Sequence, residues 1–226
     1  MAALPPAPAV PAPALPAPYP IPAGRSRAEL VVSRSRFIAT ADCVPTVGEA
    51  RAVIAQLKAE FAGATHNVYA FAVGFGSSVT HGSSDDGEPS GTAGRPVLAV
   101  LRGSGLGDVI VVVTRFYGGT KLGTGGLVRA YTEAAQTVLA DAPRTLKIAR
   151  RTVRMVLAYG HYETVGRLVA AWEGQVEGEI FGEQVTVTAS FRVDRLAGFA
   201  AALGEATAGQ GAVELLEEGE ILEADN

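Results

Sequence analysis

The stretch that decides the fold lies between Val109 and Tyr131 and reads VIVVVTRFYGGTKLGTGGLVRAY. Its first part, Val109–Thr114, is a run of β-branched residues, which is typical of a strand buried on both faces. A glycine-rich loop follows, and apolar residues then recur at helical spacing from Leu127 to Leu139, which predicts an amphipathic helix. We therefore expect a buried strand, a tight loop and a helix that packs back on the sheet.

The segments that precede this stretch predict further strands and helices. They are a strand over Leu30–Ala39, a helix opened by the capping box Thr46-x-x-Glu49, a strand over Val68–Phe75, and a polar loop over His81–Gly94 that leads into the apolar segment Val97–Leu101. Helices and strands in this order favour an α+β domain, which we place at residues 27–145.

The second half of the chain predicts the element order β-α-β-β-α-β, the signature of a ferredoxin-like domain. The elements are a strand over Thr152–Ala158, a helix over His161–Trp172, a hairpin of Gln175–Phe181 and Gln184–Val193, a helix capped by Asp194 that ends near Ala206, and a strand over Ala212–Leu216. We place this second domain at residues 150–221, so the predicted fold class is α+β with two domains.

The first 26 residues predict a disordered leader. Nine of the 13 prolines lie within residues 1–22, and proline fixes φ and removes the amide donor, so we expect neither helix nor strand there. The segment has no basic start and no unbroken apolar run, so it does not resemble a secretory signal.

Composition excludes several classes of protein. The chain is 48% hydrophobic and 19% charged, and it has no apolar run of the ~18 residues that a membrane span requires. The single cysteine, Cys43, excludes an internal disulfide and a multi-cysteine zinc site. We therefore expect a soluble, cytoplasmic protein with no membrane partner.

The charge is divided unevenly along the chain. Residues 1–149 carry 13 Lys and Arg against 10 Asp and Glu, a net charge of +3, whereas residues 150–226 carry 6 against 13, a net charge of −7. An anionic partner would therefore bind the first domain.

The glycine-rich loop is the first candidate binding site. We expect Thr124 to cap the following helix, and Gly125 and Gly126 to leave its first amides open to an anion. Lysine and arginine side chains around that point complete a predicted phosphate cradle, although the glycines alone are also explained by a tight loop. The candidate residues are Arg115, Phe116, Tyr117, Gly118, Gly119, Lys121, Gly123, Thr124, Gly125, Gly126 and Arg129.

The second candidate site is the polar loop, where Asp85, Asp86 and Glu88 lie close together. Such a cluster can hold a hard cation or supply acid–base chemistry. The favoured interpretation is that these carboxylates accept hydrogen bonds from turn amides. The residues assigned here as a second binding surface are His66, Asn67, Asp85, Asp86, Glu88 and Thr92. The sequence predicts no catalytic residue and no metal ligand.

The motifs in these loops resemble the YigZ/IMPACT family. They are DDGEPSGTAG at 85–94, VVVTRFYGGTKLGTGGLVRAY at 111–131, SRFI at 35–38 and ATHN at 64–67. The resemblance covers about residues 27–140. It implies a first domain like domain 2 of ribosomal protein S5, a sheet with helices on one face, followed by a ferredoxin-like domain similar to the C-terminal domains of ribosomal translocation factors. Phe116-Tyr117 stands where the family more usually has Tyr-Phe.

The resemblance also implies a function close to translation, since eukaryotic relatives regulate translation through protein partners. Those relatives have an extra N-terminal domain where this chain has its Pro/Ala-rich leader, so their pathway is not carried over. We expect a non-catalytic binding protein without a cofactor or DNA specificity, which contacts RNA, the ribosome or a translation-associated protein. One alternative is an enzyme that uses Mg²⁺ at Asp85, Asp86 and Glu88 on a phosphorylated small molecule or nucleic acid. Another is a protein scaffold that binds through the acidic second domain.

Overall fold

The computed structural model describes residues 18–76, 78–209 and 211–223. These residues form two compact units: Pro18–Ile148 together with residues 220–223, and Ala149–Gly219. Each unit combines β-strands with helices, so the predicted α+β class is confirmed. No helix in the described ranges is long and apolar enough to cross a membrane.

The first unit is built on a five-stranded sheet of order β2-β3-β6-β4-β5, in which neighbouring strands are antiparallel. Its elements are β1 (Tyr19–Pro22), β2 (Ser26–Val32), β3 (Ser35–Cys43), α1 (Val47–Glu60), β4 (His66–Val73), β5 (Thr80–Ser84), α2 (Gly94–Gly103), β6 (Val109–Phe116), α3 (Gly123–Ala140) and the start of β7 (Arg144–Leu157). This order of strands and helices is that of the predicted α+β first domain.

The central strand β6 is buried on both faces, as its β-branched sequence predicted. Val111 and Val113 pack into a core shared with α2 and α3, while Ile110 and Val112 pack into a second core with α1. Helices therefore cover both faces of the sheet, and the expectation that they lie on one face is wrong for α1. The reason is that the second face of β6 is also apolar and needs a cover.

The N-terminal segment is more ordered than its prolines predicted. Tyr19–Pro22 forms β1, which pairs antiparallel with Arg144–Lys147, so the prediction that residues 1–22 contain no strand is wrong there. Proline is tolerated in an edge strand because its missing N–H can lie on the unpaired side. The rest of the predicted leader, residues 1–17, lies outside the described part of the chain.

Two local predictions need correction and one is confirmed. The segment Leu30–Ala39 is not one strand but parts of β2 and β3, which are joined by a two-residue turn at Ser33 and Arg34. Both turn residues have positive φ, 45° and 67°, although neither is the glycine or asparagine that marks such turns.

The polar loop also contains a strand, β5. The N-cap of the predicted capping box is confirmed, since Thr46 Oγ1 accepts the Glu49 N–H at 3.1 Å.

The second unit has the predicted ferredoxin-like order. From Ala149 it contains the rest of β7, α4 (Tyr159–Ala171), β8 (Gln175–Phe181), β9 (Val185–Arg192), α5 (Val193–Ala206) and, as far as Gly219, β10 (Ala212–Glu223). The strands are arranged β10-β7-β9-β8. Asp194 does not cap α5, because the cap is Arg192 and Asp194 lies in the first turn.

Candidate functional site

Arg115 lies at the end of β6 and is almost fully buried, with 4% of its surface exposed. Its Nη1 donates to Glu88 Oε1 at 2.6 Å and its Nη2 to Ser35 Oγ at 3.2 Å. The guanidinium also lies over the rings of Phe37 and Tyr117, 5.3 and 5.5 Å from their centroids. Arg115 was predicted to reach a phosphate from the loop, but its Nη1 and Nη2 both donate to groups inside the protein.

Glu88 connects the two candidate loops. Besides Arg115, its Oε1 accepts the hydroxyl hydrogen of Tyr131 at 2.8 Å and lies 3.9 Å from His66 Nε2. Burial, and then the Glu88 carboxylate, raise the pKa of Tyr131 above its ordinary value. The groups that meet here come from β4, β6, α3 and the acidic loop, so this cluster fixes the loop against the sheet.

Asp85 holds the start of α2. Its carboxylate accepts the N–H groups of Gly91, Ala93 and Gly94 at 2.8, 3.1 and 2.8 Å. Burial alone raises the pKa of Asp85, but these three amides outweigh it, and the pKa lies below its ordinary value. The helix cap Ala93 has no side-chain bond of its own. The contacts agree with the interpretation that this carboxylate serves turn amides.

Asp86 is engaged by groups on α1 and β4. Lys58 Nζ donates to its Oδ1 at 2.7 Å and the Asn67 N–H to its Oδ2 at 2.6 Å. Burial raises the pKa of Asp86, but Lys58 and Asn67 more than compensate and lower it. His66 Nδ1 lies 2.8 Å from the Asp86 carbonyl oxygen, so the predicted pair His66-Asn67 does meet the acidic loop.

The remaining member of that set, Thr92, is buried and donates to the Pro89 carbonyl at 2.6 Å. Within the described residues, no three His, Cys, Asp or Glu side chains are arranged to hold a metal ion.

The glycine-rich loop is tied to the hairpin turn between β2 and β3. A Cβ at Gly118 would collide with the backbone carbonyl of Arg34, and the Gly118 N–H donates to Ser35 Oγ at 3.2 Å. Gly119 and Gly123 have φ of +82° and +71°, which glycine adopts at no steric cost. The close approach and the positive φ values explain these three glycines structurally.

Helix α3 begins one residue before Thr124, so the prediction that Thr124 caps it is wrong. The cap is Leu122, which provides no side-chain hydrogen bond, and the first turn contains no acidic residue. The first amides of a helix have no partner within the helix. The positive end of the α3 dipole is therefore neither capped by the Leu122 side chain nor balanced by a carboxylate in the first turn.

A cleft of about 350 Å³ lies beside this helix start. It is lined by Glu88, Pro89, Arg115, Tyr117, Lys121, Leu122, Gly123, Thr124 and Leu127. The sequence did not single out Pro89, Leu122 and Leu127 as site residues. Leu127 was predicted on the apolar face of α3, and that pattern alone could not show that it also reaches a cleft.

The other predicted loop residues lie away from the cleft lining. Phe116 points to the opposite side of β6, where it packs edge-on against Phe61 at 6.3 Å. Arg129 is exposed on α3. Gly118, Gly119, Gly125 and Gly126 are absent from the lining as well. Of the three predicted cations, Arg115 and Lys121 line the cleft.

Comparison with known proteins identifies the family. Residues 33–139 match the model of the Impact N-terminal domain. The chain is 35% identical to an IMPACT family member of Haemophilus influenzae, over 89% of this chain and 98% of that protein. It is 37% identical to the IMPACT family member YigZ of Escherichia coli, over 76% and 83% of the two chains. The chain belongs to the IMPACT family.

The resemblance stated from the sequence motifs is therefore confirmed. A solved structure, titled as the crystal structure of a hypothetical protein, shares 32% identity with a TM-score of 0.62, and the match covers 90% of this chain and 99% of that one. The range matched by the IMPACT domain includes both loops and every residue that lines the cleft.

Proposed function

We propose that this IMPACT family member is a non-catalytic binding protein that contacts RNA of the translation machinery through the cleft at the start of α3. The observation that carries the proposal is the meeting of an uncapped helix start, Lys121 and an exposed tyrosine at one cleft. Uncapped amides and a lysine favour phosphate, and an aromatic ring at the same place favours a base.

The charges around the cleft support an anionic ligand. Glu88 is the only carboxylate in the cleft lining that the structure describes, and its ion pair with Arg115 at 2.6 Å neutralises it. Lys121 and the positive end of α3 then determine the sign of the local potential. The net charge of +3 on residues 1–149 acts in the same direction.

The exposed ring of Tyr117 favours a nucleic acid over a simple anion as the ligand of the cleft. The residue is 46% exposed. Aromatic rings beside a cationic groove are the usual platform for unpaired bases, because every base has a face that can stack. The link to translation rests on the family resemblance.

The contacts do not favour the alternative of a magnesium-dependent enzyme. Asp85 is occupied by three backbone amides, Asp86 by Lys58 and Asn67, and Glu88 by Arg115 and Tyr131. A metal would have to displace these partners. We therefore argue the binding function alone.

The test is sedimentation of the purified full chain with ribosomes over a range of salt concentrations. The informative variant is Lys121→Glu. Its matched control is Arg102→Glu, which makes the same change of charge at an exposed position of α2 outside the cleft lining. We expect wild type and Arg102→Glu to sediment with ribosomes at low salt and to dissociate as salt rises, because phosphate contacts release counterions.

Lys121→Glu should fail to sediment at every salt concentration while keeping a native circular dichroism spectrum. If both variants lose ribosome association equally, only net charge matters and the cleft is not the binding site. Association of Lys121→Glu with ribosomes at the wild-type level would also show that the cleft is not the binding site.

A further inference from the structure

We infer that the cleft holds a single unpaired nucleotide, with its phosphate at the start of α3 and its base on Tyr117. The inference rests on the proposed function and deepens it, because it specifies what part of an RNA enters the cleft. It also predicts that the cleft binds free mononucleotides, a property that general attraction to RNA does not require.

The size of the cleft sets the class of ligand. Its volume of about 350 Å³ is at the lower end of the ~300–1,000 Å³ typical of small-molecule sites. A paired RNA helix cannot enter such a space, whereas one nucleotide that is flipped out or lies at a chain end can. Recognition of RNA by proteins commonly uses such unpaired nucleotides.

Tyr117 is held as a stacking platform. The Arg115 guanidinium lies over its ring, 5.5 Å from the centroid, and the backbone N–H of Tyr117 donates to Thr65 Oγ1 at 3.1 Å. Arg115 is itself fixed by Glu88 and Ser35. The ring is therefore supported on one side while 46% of the residue remains exposed. A base that stacks on it meets a surface that is already ordered, which lowers the entropic cost of binding.

The phosphate position is set by groups within one turn of α3. Lys121 precedes the helix cap Leu122, and Gly123 and Thr124 follow it, and all of them line the cleft. Glycine at 123 and the exposed Thr124 allow an anion to approach the first helical amides closely. The Thr124 hydroxyl adds a further donor.

A second observation points independently to a ligand. Arg115 Nε is buried and has no hydrogen-bond partner. The Arg115 side chain is 5% exposed and lines the cleft. Buried polar groups of native proteins are nearly always satisfied, and an exception calls for a missing acceptor. Because the Nε atom itself is fully buried, an acceptor of the nucleotide reaches it only when the Arg115 side chain shifts on binding.

The experiment is a ¹H–¹⁵N NMR titration of the full chain, carried to millimolar ligand. The probes are adenosine 5′-monophosphate, uridine 5′-monophosphate, adenosine and inorganic phosphate. We expect both nucleotides to shift the amides of residues 117–124 with similar affinity, since stacking tolerates different bases. Adenosine and phosphate alone should bind about tenfold more weakly or worse, because each makes only half of the contacts.

Two substitutions and two matched controls locate the site. Tyr117→Ala and Lys121→Ala should each weaken nucleotide binding about tenfold, the usual effect of losing one stacking or phosphate contact. Tyr159→Ala removes a tyrosine that is 54% exposed in the second unit, and Arg102→Ala removes an exposed cation of α2 that does not line the cleft. Both controls should bind nucleotides as wild type does.

Three results would overturn the inference, and they separate it from the proposed function. If inorganic phosphate binds as tightly as the nucleotides, the base contributes nothing. If the controls weaken binding as much as the cleft substitutions, the nucleotide binds elsewhere. If no nucleotide binds but ribosome association still depends on Lys121, the inference fails and the proposed function stands. If neither nucleotide binding nor ribosome association is observed, the inference and the proposed function both fail.

Discussion

Arg115 Nη1 and Glu88 Oε1 lie 2.6 Å apart in an ion pair whose side chains are only 5% and 3% exposed. Arg115 belongs to the glycine-rich stretch and Glu88 to the acidic loop. The two stretches that stand out in the sequence as separate candidate sites are therefore joined by one buried contact. Because both residues also line the cleft, the pair determines the shape of the proposed binding site.

Replacing Glu88 by alanine should destabilise the first unit by about 3–5 kcal/mol, because a buried Arg115 is left without its counter-charge. The Tyr131 hydroxyl loses its acceptor in the same variant. The measurement is the free energy of unfolding from urea denaturation. The control is Glu29→Ala, which breaks an exposed pair with Arg36 and should change stability little. Equal effects of the two substitutions would show that the buried pair has no special role.

Asp85→Ala should destabilise the protein by about 1–2 kcal/mol, the usual effect of removing a helix cap, since it leaves the amides at the start of α2 without an acceptor. The pKa of Asp85 is lowered from its ordinary 3.8. The stabilisation is therefore complete above pH 3.8 and is lost as the pH falls through the lower, folded-state value. Urea unfolding of wild type and variant at several pH values should show the difference shrinking only in acid. A difference that grows below pH 3.8 would contradict this assignment.

Strand β1 should contribute to stability despite its prolines. Tyr19 and Ile21 are 4% and 1% exposed, and the Tyr19 hydroxyl donates to buried Asp108 at 2.9 Å. We compare a chain that begins at Pro18 with one that begins at Ala23. Loss of these two buried side chains should lower the unfolding free energy of the shorter chain by about 3–5 kcal/mol. Equal thermal stability of the two chains would show that β1 is dispensable.

Glycines of the same loop should respond differently to alanine. Gly118→Ala places a Cβ against the Arg34 backbone and should strongly destabilise the protein or prevent folding. Gly125→Ala meets nothing within 4 Å and lies in the first turn of α3, so it should be neutral or should stabilise by up to ~1 kcal/mol. Melting temperatures of both variants are the measurement. A tolerated Gly118→Ala would contradict the close approach of loop and hairpin turn.

The features that the sequence predicted correctly depend on local patterns. The β-branched run Val109–Thr114 and the N-cap Thr46 each contain their whole signal within a few residues, and both are confirmed. The strand Tyr19–Pro22 was missed because it depends on Arg144–Lys147, more than a hundred residues later. The turn at Ser33 was missed because tertiary contacts impose positive φ on residues that seldom adopt it alone.

The candidate site was predicted in part for the same reason. Lysine and glycine around a helix start are visible in the sequence, and so is an apolar face that includes Leu127 and Tyr131. The burial of Arg115 is set by Glu88 and Ser35, which are 27 and 80 residues away along the chain. Spacing within one loop could not reveal that a predicted surface cation would become part of the interior.

The central claim is that Lys121 and the start of α3 contact RNA phosphate. The most direct test is the salt dependence of binding to a single-stranded RNA for wild type, Lys121→Ala and Arg102→Ala. Each phosphate contact adds about 0.7 to the slope of log affinity against log salt for a single strand. We predict that Lys121→Ala lowers the slope by about 0.7 and that Arg102→Ala leaves it unchanged. A Lys121→Ala slope equal to that of wild type would contradict the account.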